Sequence, residues 1–213
     1  MALSEAAARF NTRRFVLGAD PVRRAIYLAG TLPALWYVYL IATEQIGADP
    51  LNILERALGL WSLRFLIASL AITPLRRLGG PNLIRYRRAI GLLAFYYAML
   101  HVAVYVVLDQ SLNISAIIAD ILKRPYITVG MLAFTILVPL AITSNTPMIR
   151  RLGAVAWNRL HKLVYIAAIA AALHFVMLVK TWQTEPLIYA AMVAVLLAFR
   201  GWAVMTKPAR RRA

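Results

Sequence analysis

Six apolar stretches, each long enough to cross a lipid bilayer, restrict the fold of this chain more than any other feature. A membrane-spanning helix needs about 17–25 residues. The stretches cover residues 26–43, 57–75, 89–108, 127–143, 163–180 and 186–205. Because the bilayer core offers the backbone no water, each stretch must satisfy its N–H and C=O groups internally, as a helix does. We therefore predict an all-α, polytopic membrane helix bundle with six transmembrane helices.

The charge of the chain has two readings. A formal net charge of +16 would suggest a nucleic-acid partner if the basic residues formed one continuous patch. They form short clusters between the apolar stretches instead. The chain is also 62% hydrophobic, whereas soluble domains are about 45–50% apolar. These features favour contact with membrane lipid and no nucleic-acid partner.

The basic clusters predict the orientation of the bundle. Eighteen of the 24 Lys and Arg residues lie in the N-terminal arm, the loops after the second and fourth stretches, and the C-terminal tail. The opposite loops contain only Arg56, Lys123, Arg124 and Lys180. Loops rich in Lys and Arg stay in the cytoplasm. Both termini are therefore predicted to be cytoplasmic.

Two histidines lie inside apolar stretches, at matched depth. His101 follows Arg88 by 13 residues and His174 follows Lys162 by 12, which places them about 20 Å and 18 Å into the membrane. Ionisable residues at such depth are costly and point to function. Two level imidazoles on neighbouring helices could bind a haem iron from both faces. The alternatives are a hydrogen-bonded core pair and a link in a proton relay.

Two further residues are candidates with open roles. His161 lies at the cytoplasmic edge, about 220° around an ideal helix from His174. It could bind an inner haem, hydrogen-bond a quinone or simply mark the membrane boundary. Arg64 lies within the second stretch, where it could pair with a haem propionate or extend towards the outer surface.

What the chain lacks excludes several kinds of chemistry. It has no cysteine, which excludes thiolate iron–sulfur clusters, covalent haem attachment and disulfide exchange. It has neither a Gly-x-Gly-x-x-Gly motif nor a P-loop. The loops leave no room for a separate soluble domain, so residues 1–213 are expected to form a single domain.

Local patterns add two smaller predictions. Apolar residues in the third loop repeat as on one face of a helix, which predicts an amphipathic helix at the outer membrane interface: Ile114, Ile117, Ile118, Ile121 and Leu122. It would anchor the loop, cover the haem or help to bind a partner. Tyr97 and Tyr105 flank His101 by one helical turn each, and would line the haem or pack between helices.

Two segments resemble the ferric-reductase-like transmembrane family. They are Arg88–Leu92 leading to His101, and Trp157–Tyr165 leading to His174. The resemblance covers essentially the whole chain and implies b-type haem. It implies that His101 and His174 are the outer axial pair and that His161 is one inner ligand. Arg87 stands where the family has the second inner histidine, so the number of haems is one or two.

The resemblance also implies a function, in a bacterial branch that serves periplasmic methionine sulfoxide reduction. Electrons would pass from quinol across the inner membrane to a periplasmic, molybdopterin-containing reductase subunit that repairs oxidised proteins. The chain would be an electron-transfer subunit that reduces no substrate by itself. The family is also associated with FMN, whose phosphate the Arg85–Arg88 cluster could bind, although lipid headgroups explain that cluster equally well. The alternatives are a ferric reductase or cytochrome b subunit with another partner, and a histidine proton-relay transporter.

Overall fold

The computed structural model of the chain describes residues 20–179 and 181–206. Eight α-helices follow one another in this part of the chain. They are α1 (Pro21–Ala42), α2 (Pro50–Arg77), α3 (Arg87–Ala103), α4 (Ile114–Lys123), α5 (Pro125–Ile142), α6 (Thr146–His161), α7 (Val164–Leu178) and α8 (Thr184–Met205). A 3-10 turn at Ile84–Tyr86 precedes α3, and a π-helical segment at Val104–Asp109 continues it.

The predicted all-α membrane bundle is confirmed. Six helical stretches are long and apolar enough to cross a membrane, and they follow the predicted stretches in order. The helices begin earlier than hydropathy indicates where capping residues extend them. The Asp20 carboxylate accepts a hydrogen bond from the Val22 N–H at the start of α1, with Pro21 in the first turn. The cationic N-terminal arm up to residue 19, Lys180 and the tail from residue 207 lie outside the described residues.

Two helix pairs form the centre of the bundle. α2 packs along α3, and α5 packs along α7. The pairs meet where α3 contacts α5, while α8 packs on α2 and α7. The core between them is formed by fully buried residues such as Leu70, Ala94 and Ala167. The alanines of α7 allow its backbone to approach its neighbours closely, as small residues do in membrane bundles.

The loop before α5 contains the predicted amphipathic helix. Asn113 caps α4 by accepting a hydrogen bond from the Ala116 N–H. The Thr128 hydroxyl donates to the Ile121 carbonyl and so joins α4 to α5. Ile117 is buried while Leu122 is largely exposed. The helix itself is confirmed, and its position in the membrane interface stays a prediction.

Two intramembrane arginines join α8 to the central helices. Arg64 of α2 donates from Nε to the Tyr189 hydroxyl at 2.8 Å. Arg200 of α8 donates to the Tyr165 hydroxyl at 2.8 Å and to the Leu70 carbonyl at 2.7 Å. Hydrogen bonds to charged donors are stronger than neutral ones, which matters where no water competes.

A buried tyrosine attaches α1 to the rest of the bundle. The Tyr97 side chain is fully buried. Its hydroxyl donates to the Gly30 carbonyl at 2.7 Å and accepts from the Ala34 N–H at 3.0 Å. An undistorted helix would pair these two backbone groups directly, but Pro33 interrupts α1 at this point. Of the two predicted roles for Tyr97, the structure supports packing between helices.

We expect Tyr97→Phe to destabilise the protein, because it removes both hydrogen bonds at a buried position. The expected loss is about 1–3 kcal/mol in the free energy of unfolding. Thermal unfolding of the detergent-solubilised protein measures it. Tyr96→Phe is the control, since the Tyr96 hydroxyl has no hydrogen-bond partner among the described residues. Equal unfolding midpoints for the two variants would contradict this role of Tyr97.

Candidate functional site

His101 of α3 and His174 of α7 meet at the centre of the bundle. Their ring centroids are 6.2 Å apart and their planes are inclined at 68°. The two rings lie near the end of the bundle where α2 and α5 begin, which we call the outer end after the predicted orientation. The structure therefore brings together the two histidines that the sequence places at one depth.

Each imidazole is held by a backbone carbonyl. His101 Nδ1 lies 2.9 Å from the Glu55 carbonyl oxygen, and His174 Nδ1 lies 2.7 Å from that of Tyr126. A carbonyl oxygen can only accept, so each Nδ1 carries the proton and donates. In a neutral imidazole the other nitrogen, Nε2, then keeps its lone pair. Metal-binding histidines are usually held in this way by a second hydrogen bond.

The separation of the rings suits one metal ion between them. A metal–imidazole bond is about 2 Å long, so two imidazoles on opposite faces of one ion have ring centroids about 6 Å apart. Neither ring hydrogen-bonds the other. Among the residues that the structure describes, no group of three or more His, Cys, Asp or Glu side chains could bind a bare ion. Two axial ligands do suffice for a macrocycle that supplies its own equatorial nitrogens.

A cavity of about 380 Å³ surrounds the two rings, within the range of small-molecule sites. Its walls come from α2, α3, α5 and α7 and are mainly apolar, with small residues such as Ala98, Ala133 and Ala171 beside the aromatic rings of Phe134 and Phe175. At the outer end the lining becomes polar, with Asn52, Glu55, Arg56, Asp109 and Arg124. A flat group with an apolar body and a polar edge fits this distribution.

The π-helical segment after α3 contributes to this cavity. Such segments add a residue to one turn and are frequent at functional sites. Tyr105 and Asp109 of the segment both line the cavity. The Tyr105 hydroxyl is buried and has no hydrogen-bond partner within the described part of the chain. Tyr105 therefore lies at the cavity wall, and its contact with a bound haem stays a prediction.

Three predicted site residues do not reach this cavity. Arg64 is engaged with Tyr189, and its guanidinium lies 4.9 Å from the centroid of the Trp61 ring. Arg87 begins α3 at the inner end. His161 ends α6, also away from the cavity lining. The arginines that do line the cavity are Arg56 and Arg124.

His161 belongs to a separate cluster at the inner end. Its Nε2 lies 3.1 Å from the Thr143 hydroxyl, and the Trp157 ring stacks on it with centroids 3.8 Å apart. Trp157 Nε1 donates to the Thr143 carbonyl at 2.9 Å. The cluster joins the end of α5 to α6. In His161 the Nε2 atom is therefore hydrogen-bonded, whereas in His101 and His174 the described residues hydrogen-bond Nδ1 instead.

Sequence reasoning missed four residues at the cavity. Arg56 and Arg124 were counted only as outer-loop charges, whereas Arg56 lies inside α2 and Arg124 directly precedes α5. Gly59 and Gly130 gave no signal beyond being small residues in apolar stretches. In the structure, a Cβ atom on Gly59 would meet the His101 ring, and one on Gly130 would meet the His174 ring.

Comparisons with known proteins agree with this architecture. The family model described as "Ferric reductase like transmembrane component" matches residues 57–172, from α2 into α7. Proteins of Brucella ovis and Brucella canis are 59% identical to the chain over 175 residues, which is 82% of this chain and 79% of each relative. Both are named "Protein-methionine-sulfoxide reductase heme-binding subunit MsrQ".

We expect Thr143→Val to lower the unfolding midpoint, because it removes the hydroxyl that holds His161 without changing the volume of the side chain. The same hydroxyl donates to the Pro139 carbonyl at 2.6 Å. Each hydrogen bond lost costs about 0.5–1.5 kcal/mol, or roughly 1–6 °C in a chain of this length. Thr135→Val, at an exposed position on the same helix, is the matched control. If both variants unfold at the same temperature, the His161 cluster does not stabilise the inner end.

Proposed function

The chain belongs to the ferric reductase like transmembrane family and, within it, to the MsrQ proteins, and from this premise we propose that it is a haem-binding electron-transfer subunit of a methionine sulfoxide reductase system. The observation that carries the proposal is the pair of histidines. Within the described part of the chain nothing hydrogen-bonds either Nε2, and both Nδ1 atoms are bound to carbonyls. The 6.2 Å between the ring centroids suits one iron held by both rings.

The residues around the cavity have distinct parts in binding. His101 and His174 would hold the iron of haem b. The apolar walls exclude water from the macrocycle. Arg56 and Arg124, at the outer opening of the cavity, would bind the propionates, since guanidinium groups pair well with carboxylates. Arg124 Nε lies 3.3 Å from the Asp120 carboxylate, so it would bind a propionate beside this ion pair or in exchange for it. This assigns to Arg56 and Arg124 the part that the sequence suggested for Arg64.

The bound haem supplies one-electron redox chemistry at a site between the two sides of the membrane. With both His101 and His174 holding the iron, the site would suit electron transfer better than oxygen binding. The chain itself would reduce no substrate. Its residues fix the iron ligands, neutralise the propionates and hold the redox centre near the outer end.

The direction of transfer follows from the predicted orientation. The excess of Lys and Arg places the outer end on the periplasmic side of a bacterial inner membrane. A partner there would be the reductase subunit of the system, which we infer to be a soluble molybdopterin protein. Quinol is the proposed donor, because it is lipid-soluble and the chain carries no dinucleotide-binding motif.

Any further cofactor would bind at the inner end of the bundle. A second haem would use His161, whose Nε2 would first have to leave the Thr143 hydroxyl. FMN would place its phosphate near Arg85, Arg87 and Arg88, at the start of α3. Flavin fluorescence after denaturation, together with the ratio of haem to protein, tests both additions.

The first test is an absorption spectrum of the detergent-purified protein, oxidised and reduced. We expect sharp b-type bands of a low-spin haem, which is lost in His101→Ala and in His174→Ala because each removes an axial ligand. His161→Ala is the matched control and should retain most of this haem. A colourless wild-type protein from haem-sufficient cells would contradict the proposal and favour the proton-relay transporter.

The arginines at the opening of the cavity give a second test. Arg56→Gln and Arg124→Gln should each lower the midpoint potential of the haem, because a lost positive charge favours the more positive ferric state. The expected shift is on the order of tens of millivolts. Arg64→Gln is the control, and redox titration measures all three. A shift in Arg64→Gln alone would move the propionate site to Arg64.

A further inference from the structure

The same arrangement of carbonyl, glycine and histidine occurs twice around the cavity. On α2, Gly59 lies four residues after Glu55, whose carbonyl binds His101. On α5, Gly130 lies four residues after Tyr126, whose carbonyl binds His174. The local sequences differ, Glu-Arg-Ala-Leu-Gly in one case and Tyr-Ile-Thr-Val-Gly in the other. The shared feature is the spacing of four.

We propose that Gly59 and Gly130 are positioning residues for the two haem ligands. Each glycine opens a gap in the helix surface through which one imidazole reaches a backbone carbonyl. The glycines thereby fix the plane of each ring and determine which of its two nitrogens faces the iron. This inference rests on the proposed haem site and adds to it two residues that bind no haem atom themselves.

Helix geometry explains the spacing. A helical carbonyl at position i bonds the N–H at i+4 and has a second lone pair that can accept another donor. The side chain at i+4 lies beside that carbonyl, which is why Ser and Thr there can bond back to it. Glycine at i+4 leaves room beside that carbonyl for a ring as large as an imidazole from a neighbouring helix. The imidazole then takes the space that a Cβ atom would fill.

The contact is tight at Gly130. A Cβ atom at this position would lie 2.8 Å from Nδ1 and 3.0 Å from Cε1 of His174. The ring cannot retreat from such an atom and still keep its 2.7 Å hydrogen bond to the Tyr126 carbonyl. An alanine at 130 would therefore displace the ring or break this bond.

The contact is less tight at Gly59. A Cβ atom there would lie 3.2 Å from Nδ1 and 3.3 Å from Cε1 of His101, so a movement of a few tenths of an ångström would accommodate it. The hydrogen bond to the Glu55 carbonyl would lengthen from 2.9 Å without being lost. We therefore expect alanine to displace the neighbouring histidine more at position 130 than at position 59.

A weaker hydrogen bond from Nδ1 to the carbonyl changes the spin state and potential of the bound haem. A hydrogen bond from Nδ1 raises the basicity of the ligating nitrogen, and a more basic ligand stabilises ferric iron. We expect Gly130→Ala to convert most of the low-spin haem to a high-spin or haem-free form. Gly59→Ala should keep its haem, with a raised midpoint potential and altered g-values in electron paramagnetic resonance.

Gly91→Ala is the matched control. Gly91 lies on α3 with His101, and a Cβ atom there would meet nothing within 4 Å. Alanine is the better helix former, so this variant should fold at least as well as the wild type. Its haem spectrum and potential should be unchanged. If Gly59→Ala and Gly130→Ala match Gly91→Ala in spectrum, g-values and potential, the glycines do not position the ligands.

A double-mutant cycle tests the same contact without haem. Gly130→Ala should lower the unfolding midpoint in the wild-type background, but not in a His174→Ala background, where the ring that opposes the new Cβ is gone. Equal losses in both backgrounds would assign Gly130 to general helix packing and overturn the inference. This result does not depend on bound haem, whereas a wild-type protein without haem would refute the proposed function itself.

Discussion

A buried imidazole N–H needs an acceptor, and the bilayer core supplies no water to provide one. The chain meets this constraint with main-chain oxygen atoms of the helices opposite, through the bonds from His101 to Glu55 and from His174 to Tyr126. A helix can offer such an oxygen only to a partner that lies against its surface. The close pairing of α2 with α3 and of α5 with α7 is therefore a condition of the site as well as of the fold.

The remaining helices are fastened to these pairs by polar contacts at selected points. Arg64 and Arg200 hold α8, Tyr97 holds α1, and Thr143 with Trp157 holds α6. In hydrocarbon, apolar surface provides no preference for a neighbouring helix over lipid, so packing and specific hydrogen bonds determine the arrangement. These contacts leave the cavity as the place where four helices meet without filling the space between them.

The sequence predicted how deep each residue lies in the membrane, but not towards which neighbouring helix its side chain points. The rise of 1.5 Å per residue predicted that His101 and His174 lie at one depth, and the hydropathy pattern predicted six spans and the amphipathic α4. Neither pattern indicates which helix lies beside which. For that reason the sequence left open whether Arg64 meets a propionate or the outer surface, and it gave no sign of its bond to Tyr189. Arg56 and Arg124 were overlooked. Likewise α6 was expected as a loop, because its mixed composition gives no span.

The acceptors that orient the two rings belong to the main chain, and this has an evolutionary consequence. No point mutation can delete a peptide oxygen, so the side chains of Glu55 and Tyr126 can diversify while the same bonds persist. Both residues line the cavity, where new side chains could retune polarity or partner choice. Selection would act instead on the small residue one turn further along each helix. A lineage could thus remodel the rim of its redox centre through genetic drift without disturbing the ligands beneath.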